Sequence, residues 1–304
     1  MPSRLQSLKL RARMYQSIRA FFDDLGYLEV DTPLLGISTN SDIHIHSVKA
    51  KVIGHPVYLQ TSPEFAMKRL LAAGSGSIYQ ICHAFRDEEK GRLHHPEFSL
   101  LEWYSVGSDY LGLMQQLEAL LARLLNQDIG IQRQSYFDCF QQALGLDLAN
   151  ASAAQCQQKV SEHIPGIASE TLTRDDCLDL LMSQVVSKTF NGFTYVYDYP
   201  ASQAALARIK PDNPLLAERF ELFYDALELA NGFHELSDAP EQKSRFEAEL
   251  RRRRAARRPA VPLDLNLLAA LQQGLPDCAG VALGLDRLLM LQQGVSHIDQ
   301  VLAF

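Results

Sequence analysis

Little in this chain speaks for secretion, membrane insertion or disulfide stapling. Its five cysteines (Cys82, Cys139, Cys156, Cys177, Cys278) lie far apart in 304 residues, are odd in number and form no CxxC pair. Neither a disulfide framework nor a zinc site is expected; reduced thiols of a cytoplasmic protein are. No apolar run reaches the length of a membrane span, and the N-terminal MPSRLQSLKLRARMYQS has no apolar core of the kind a secretory leader carries, so no membrane partner is expected. Positive charge is short as well: a net charge of −7 leaves little broad attraction for nucleic-acid phosphates. What remains is ordinary for a globular protein, 47% hydrophobic and 21% charged, enough for a sizeable core in one large domain or two.

The most informative stretch is Phe85–Tyr104, FRDEEKGRLHHPEFSLLEWY. Alternating segments on either side of a polar loop predict a long-looped β-hairpin. On a period of two, Arg86 and Glu88 share one face of the first strand, and Phe98, Glu102 and Tyr104 one face of the second. The opposite face, with Ser99, Leu101 and Trp103, is the expected buried side. A guanidinium fork, carboxylates and rings on one face suit an anionic nucleotide with a planar base: Arg86 clamping a phosphate, Phe98 under a purine, Glu102 free to meet a cation. A hairpin whose charges are merely solvated is the alternative at this point.

Residues 4–25 carry apolar side chains at helical spacing and stop at Gly26. GYLEVDTPLL follows as an extended segment broken by Pro33. Apolar residues on more than one face of this pair suit an element buried against another subunit, or a packed helix within a monomer. Residues 42–60 alternate and predict two strands around Gly54-His55-Pro56, with His44 and His46 on one strand face. Two imidazoles without a third ligand read as a polar strand face rather than zinc. Thr61-Ser62-Pro63-Glu64 predicts a helix start leading through FAMKRLLAAG, which puts Glu64 in a first helical turn. Helices are expected over 109–127 and 174–189, shorter helical pieces over 135–165, and a strand over Phe193–Tyr199. The region from about 129 to 192 reads as a helical insertion.

In ERFELFYDALELANGFHELSDA (218–239), a two-residue turn at Asp225-Ala226 places Glu228 opposite Phe223, with Glu221 on the same face. Two carboxylates there repel unless something cationic sits between them, and a divalent ion bridging to phosphate oxygens is the simplest candidate. Asn231-Gly232 is expected to bulge or turn the strand, with Glu235 nearby. In GLPDCAGVALGLDRLLMLQQG (274–294), Gly280, Ala282 and Gly284 leave a strand face bare enough for a planar ligand. Asp286-Arg287 then opens a helix, with Arg287 able to stack on a base from the side opposite Phe98. RRRRAARR at 251–258 continues a helix that starts near Ala239 and wraps most of its surface in positive charge, as a solvated helix end or a docking patch for an acidic macromolecule. Val301–Phe304 reads as a strand.

GYLEVDTPLL, FRDE…HHPEFSLLEWY and GVALGLDRL resemble, in order, motifs 1, 2 and 3 of class II aminoacyl-tRNA synthetases, and TSPE and ELANGFHEL resemble their lysine-type subgroup. The match covers nearly the whole chain. The resemblance implies an α+β class II catalytic fold, a mixed, mainly antiparallel sheet flanked by helices, as one domain over 1–304 with the insertion at about 129–192. It also implies a cytoplasmic homodimer formed through motif 1, using ATP and Mg2+ to activate an amino acid as its adenylate. Carried over by position, Arg86 holds the α-phosphate, Phe98 and Arg287 sandwich the adenine, and Asp87, Glu88, His94, His95, Glu228, Leu229 and Gly284 complete the ATP site. Glu221 and Glu228 hold Mg2+. Ser62, Pro63, Glu64, Glu102, Tyr104, Asn231, Glu235 and Ala282 form the amino-acid pocket. An acid-lined pocket suits a guest with two ammonium groups, lysine or an isomer of it. The substrate carboxylate is already a nucleophile, so positioning and charge neutralisation carry the rate, with Arg86 and Arg287 as the catalytic pair.

Two departures narrow the resemblance. Lysyl-tRNA synthetases carry an anticodon-binding domain before motif 1, whereas one helix precedes it here, so no such domain is expected. Motif 3 usually reads GxGxGxDR, and its middle glycine is Ala282 here; a methyl in a snug pocket shifts preference between analogues by ~1–3 kcal/mol. Both features resemble the truncated lysyl-synthetase paralogues that join (R)-β-lysine, a lysine isomer, to a lysine side chain of elongation factor P. That implies elongation factor P as partner in place of tRNA, with 251–258 as a docking candidate. Position 95, often Asn in the relatives, is His. The alternatives are a stand-alone enzyme acting on tRNA or a small amine, and a regulator that keeps the fold without catalysis; intact Arg86, Glu228 and Arg287 speak against the second.

Overall fold

Amphipathic spacing produces helix α1 (Arg4–Asp24), which stops where Gly26 takes a φ of +73°. It buries Met14, Ile18, Phe21 and Phe22; the Phe22 ring stacks on Tyr79 (4.4 Å between centroids) and meets Trp103 edge-on. The computed structural model describes residues 4–303 and divides into two compact units, one built from the ends of the chain (through Gln127, and again from Glu235), the other from Asp128–His234.

In the first unit, the segment after α1 is mostly irregular, with only the short strands β1 (Leu28–Glu29) and β2 (Leu35–Gly36). Strands β3 (Lys49–Val52) and β4 (His55–Leu59) form a hairpin through Ile53 and Gly54, both at positive φ as the favoured two-residue turn requires. The strand expected from residue 42 does not form before Lys49. Side chains of Asn40 and Asp42 accept hydrogen bonds from the backbone N–H of Asp42 and His44 (2.8 Å each), and these local turns take the place of a ladder. His44 and His46 therefore share no strand face. Helix α2 (Glu64–Ala72) begins after Pro63; strands β5 (Ile78–Phe85) and β6 (Glu97–Val106) and helix α3 (Tyr110–Leu125) follow.

The second unit contains β7 (Ile131–Ser135), α4 (Tyr136–Leu144), α5 (Ala153–His163), α6 (Arg174–Gln184), β8 (Phe193–Pro200), β9 (Ile209–Lys210), β10 (Asn213–Tyr224) and β11 (Leu227–His234). The helix expected over 174–189 breaks at Val185, where φ is −127°, and residues 186–189 wind on as a 3-10 turn. The adjacent β-branched pair Val185-Val186 favours the break. Its strands run in the order β11-β10-β8-β7, with β9 on β10; β7 and β8 are parallel and the other pairs antiparallel. Tyr136, Phe140, Leu178, Leu181, Val196 and Phe223 are among the core residues between helices and strands.

The chain returns to the first unit with α7 (Ala239–Ala255), α8 (Leu265–Gln273), β12 (Cys278–Gly284) and α9 (Leu285–Gln293). Strands of this unit run β1-β5-β6-β12, parallel at the first pair and antiparallel thereafter. The C-terminal strand does not form: a 3-10 turn at Ile298–Gln300 precedes it, and the Val301 carbonyl is taken by an Arg11 guanidinium N–H rather than a neighbouring strand. Phe304 lies outside the described residues. All five cysteines are buried and free. No helix among the described residues is long and apolar enough to cross a membrane.

Candidate active site

Register decides which side chains meet on the sheet of the first unit. Opposed residues of an antiparallel ladder point to the same face. Three rows run across β5, β6 and β12: Ile78–Tyr104–Gly280, Gln80–Glu102–Ala282 and Cys82–Leu100–Gly284; Ala84–Phe98 adds a fourth on the first two strands. Phe98, Glu102 and Tyr104 thus share a face with the small residues of β12. Around Glu102 and Tyr104 that face is closed, contrary to the one-sided burial expected: each is 2% exposed, whereas Phe98, Ala282 and Gly284 are half-buried. The bare strip of β12 has an occupant at its first row. A Cβ on Gly280 would run into the Tyr104 ring and lie 2.6 Å from a Glu235 carboxylate oxygen, so Tyr104 is the planar group that uses this glycine.

Around Glu102 the charges form one buried group. Tyr104 donates its hydroxyl to Glu102 Oε1 at 2.6 Å. Lys68, from α2, reaches Glu64 Oε1 at 2.7 Å one turn back and is in ion-pair contact with Glu235, where the chain re-enters this unit. Glu235 is fixed there by its backbone N–H, which donates to the Cys278 carbonyl (3.0 Å). Burial, then repulsion from Glu64, pushes Glu102 up to about 8. Burial raises Glu235 to about 8 as well, against the pull of Lys68. Burial opposes the charge on Lys68, but Glu235 and Glu64 outweigh it and hold the ammonium protonated. Buried polar atoms remain without a hydrogen-bond partner here: Glu102 Oε2, Glu235 Oε1 and Gln80 Nε2. Unmet groups of this kind, both acceptors and a donor, suit a guest carrying ammonium and carboxylate groups. Burial keeps the neighbouring Cys82 and Cys278 thiols protonated and unreactive.

Motif 2 departs from the expected strand at its tip. Strand β5 ends at Phe85; Arg86 makes one more ladder-like bond, its N–H to the Pro96 carbonyl (2.9 Å). Glu88 then takes a left-handed φ of 64°, which no ladder accommodates, so Arg86 and Glu88 share no strand face. The Glu88 carboxylate pairs with His46 Nδ1 (2.6 Å), and the Asp87 N–H donates to the His46 carbonyl (2.7 Å). The Arg86 guanidinium lies 5.1 Å from the Phe98 ring centre and bonds the Thr61 carbonyl (3.3 Å). Arg287, in the first turn of α9 after Gly284, sits 2.8 Å from His94 Nε2. A cation, Arg86, thus lies over one face of Phe98. His95 Nδ1 is 2.7 Å from the Glu97 carbonyl and braces the start of β6. The Ser62 hydroxyl accepts from the Glu64 N–H (3.3 Å), and Pro63 is the residue before the first turn of α2. Asp286 anchors the motif 3 helix, accepting from the Ser99 N–H (2.6 Å) and pairing with Arg11 (2.5 Å).

In the second unit the turn falls at Asp225-Ala226, Asp225 at a φ of 48°, and Phe223 opposes Glu228 as expected. The bulge lies at Leu229, not at Asn231-Gly232, and brings Asn231 opposite Glu221. One cation is already beside these acids. Arg219 pairs with Glu221 (2.6 Å), bonds the Asn231 side chain (3.2 Å) and covers the Tyr199 ring at 4.4 Å. Burial raises Glu221 to about 7; Arg219 opposes the rise and Glu228 adds to it. Two hard carboxylates sharing a face are a donor set suited to Mg2+.

Residues 2–304 match the family model for class II tRNA synthetases (D, K and N). The chain belongs to the class II tRNA synthetase family. Its similar relatives include proteins named elongation factor P–(R)-beta-lysine ligase: those of Vibrio cholerae serotype O1 and Vibrio atlanticus are each 45% identical over 99% of this chain and 95% of their own length. The protein of that name from Klebsiella pneumoniae subsp. pneumoniae is 44% identical over the same shares.

Membership in the class II family agrees with the α+β fold and mixed, mainly antiparallel strands expected from the motifs. Of the anticipated site residues, the first unit joins Glu64, Glu102, Tyr104, Glu235 and Ala282 in one place, Arg86 with Phe98 in another, and Arg287 with His94 in a third. Glu221, Glu228 and Asn231 gather on one face of the second. Lys68, Gln80, Arg219 and Tyr199 were not anticipated. Lys68 had a signal, its i, i+4 spacing from Glu64 on a helix, and so had Arg219, two residues before Glu221 on one strand face; Gln80 and Tyr199 had none.

Proposed function

We propose that this chain is a cytoplasmic, homodimeric ligase that uses ATP and Mg2+ to activate (R)-β-lysine, or lysine, and transfers it to a lysine side chain of elongation factor P. The observation that carries the reading is the group formed by buried Glu102 and Glu235 and half-buried Glu64 with Lys68 among them: acids outnumber the base, and with all of them ionised a guest with two positive charges balances the group. The name shared by relatives at 44–45% identity supports the same substrate and acceptor.

In the first half-reaction the substrate carboxylate attacks the α-phosphorus and pyrophosphate leaves. In the second, the target amine attacks the acyl carbon, an amide forms, AMP departs and the amine gives its proton to solvent. Neither needs a strong base, so the work is positioning. Arg86 takes the α-phosphate, with the Phe98 ring offering a stacking surface for adenine; Arg287, His94, His95, Asp87 and Glu88 line the triphosphate and base, as do Leu229 and Gly284. Glu64, Glu102 and Glu235 receive ammonium groups, and Tyr104 keeps Glu102 oriented. Asn231, Ser62, Pro63 and Ala282 shape the remainder. Mg2+ held by Glu221 and Glu228 would offset phosphate charge.

Two surfaces fit the partners. Leu25, Leu28, Leu34, Leu35 and Ile37 leave a run of apolar side chains exposed near motif 1, Ile37 at 73%, which suits a subunit interface. Arg251, Arg252, Arg254, Arg257 and Arg258 are exposed and suit an acidic partner, while Arg253 turns inward to the carbonyls of Asp42 and Pro259, so the cluster does not wrap the whole helix. The test is amino-acid-dependent pyrophosphate exchange with the purified protein. Exchange with (R)-β-lysine or lysine and none with single-amine acids such as leucine is expected; exchange with leucine and not with the diamino acids contradicts the reading.

A further inference from the structure

Lys68 belongs to none of the motifs, yet its side chain is 2% exposed and its ammonium is shared by two carboxylates. The titratable and charged groups around it are Glu64 from α2, Glu102 and Tyr104 from β6, Glu235 at the re-entry of the chain, Cys278 from β12 and, acting on Glu102, the guanidinium of Arg86 just after β5. Tyr104 is neutral and donates to Glu102, and the Cys278 thiol is held protonated. Three carboxylates against one ammonium leave two negative charges when all are ionised.

We propose that Lys68 is a positioning residue that sets the charge of the amino-acid pocket: its ammonium holds Glu64 and Glu235 in place and favours the ionised form of Glu235, so that the pocket, once its protons leave, offers two net negative charges to the two ammonium groups of a diamino acid. This rests on reading the pocket as one for lysine or an isomer. A buried carboxylate without a partner takes up a proton, so loss of the ammonium would favour the neutral form of Glu235 and weaken the match. Glu102 and Glu235 already stand near about 8, so the free enzyme carries protons there at neutral pH, and a dication must expel them to bind. Binding therefore strengthens as pH rises toward that range, and Lys68 decides where the rise falls.

The test is the pH dependence of KM for the diamino acid in pyrophosphate exchange, measured on the full chain from about pH 6 to about pH 9. Lys68→Met is expected to displace the limb upward by about one unit or more, raising KM roughly tenfold at neutral pH while kcat at high pH is largely kept. The double variant Lys68→Met/Glu235→Gln again has two net negative charges and is expected to return the limb to its wild-type position. A role in packing alone would lower folded yield or kcat at every pH without moving the limb, and a limb common to wild type and Lys68→Met overturns the proposal. If Lys68→Met does not fold, the double variant decides: a wild-type limb supports the proposal and a displaced one overturns it. Wild-type protein that exchanges with no diamino acid would instead fail the underlying reading of the pocket.

Discussion

Tyr104 occupies the space that Gly280 leaves empty, and its hydroxyl orders Glu102. Two consequences belong to this pair. Gly280→Ala drives a methyl into the Tyr104 ring and Glu235, and is expected to cost about 1–3 kcal/mol of stability with a raised KM for the amino acid, read by thermal unfolding and pyrophosphate exchange. Wild-type values in both would show that the ring moves aside freely. Tyr104→Phe removes a hydrogen bond that favours the ionised form of Glu102, whose other oxygen is already unpartnered, so the KM limb is expected to move to higher pH. An unmoved limb would mean that Glu102 does not meet the substrate. At this scale the grouping of Glu64, Glu102 and Glu235 was legible through the resemblance to lysine-type synthetases, which carried each onto a matching position. What the sequence could not show was the pairing of Lys68 with Glu235 or the Arg86 guanidinium over the Phe98 ring, both of which depend on how segments distant in the chain pack together.

Among the elements, the β10–β11 hairpin was read to the residue at its turn, since Asp tolerates positive φ and the flanking alternation fixes the register. The bulge at Leu229 was not, because an extra residue in a strand leaves no local mark when its side chain is apolar and buried. Alternation over 42–48 misled for the opposite reason: the pattern suits a strand, but Asn40 and Asp42 satisfy the backbone first. The inward turn of Arg253 was equally hidden, since four consecutive arginines erase any periodicity. Arg219 carries the prediction at this scale. Arg219→Met leaves half-buried Glu221 beside Glu228 without its cation and is expected to lower stability by about 1–3 kcal/mol at neutral pH, with partial recovery in Arg219→Met/Glu221→Gln. Equal melting temperatures for the single and double variants would refute the coupling.

For the molecule as a whole, the raised carboxyls have a summed effect. Glu102 and Glu235 near about 8 and Glu221 near about 7 bind protons in the folded state at pH values where the unfolded chain has released them. Their protonation favours the folded state at low pH, and that contribution is lost as pH rises through the folded values, so the melting temperature of the ligand-free protein is expected to fall between about pH 5 and about pH 8. Adding the diamino acid should reduce the fall, and Glu102→Gln should flatten it; a rise over the same range contradicts the assignment. Assembly rests in the sequence on apolar residues around motif 1, and Leu34, Leu35 and Ile37 are exposed there. The central claim is the transfer itself. Intact-mass spectrometry of elongation factor P after incubation with this protein, ATP, Mg2+ and (R)-β-lysine should show one added β-lysyl group on a lysine side chain. Unmodified elongation factor P, with labelled amino acid recovered on tRNA instead, would contradict the account.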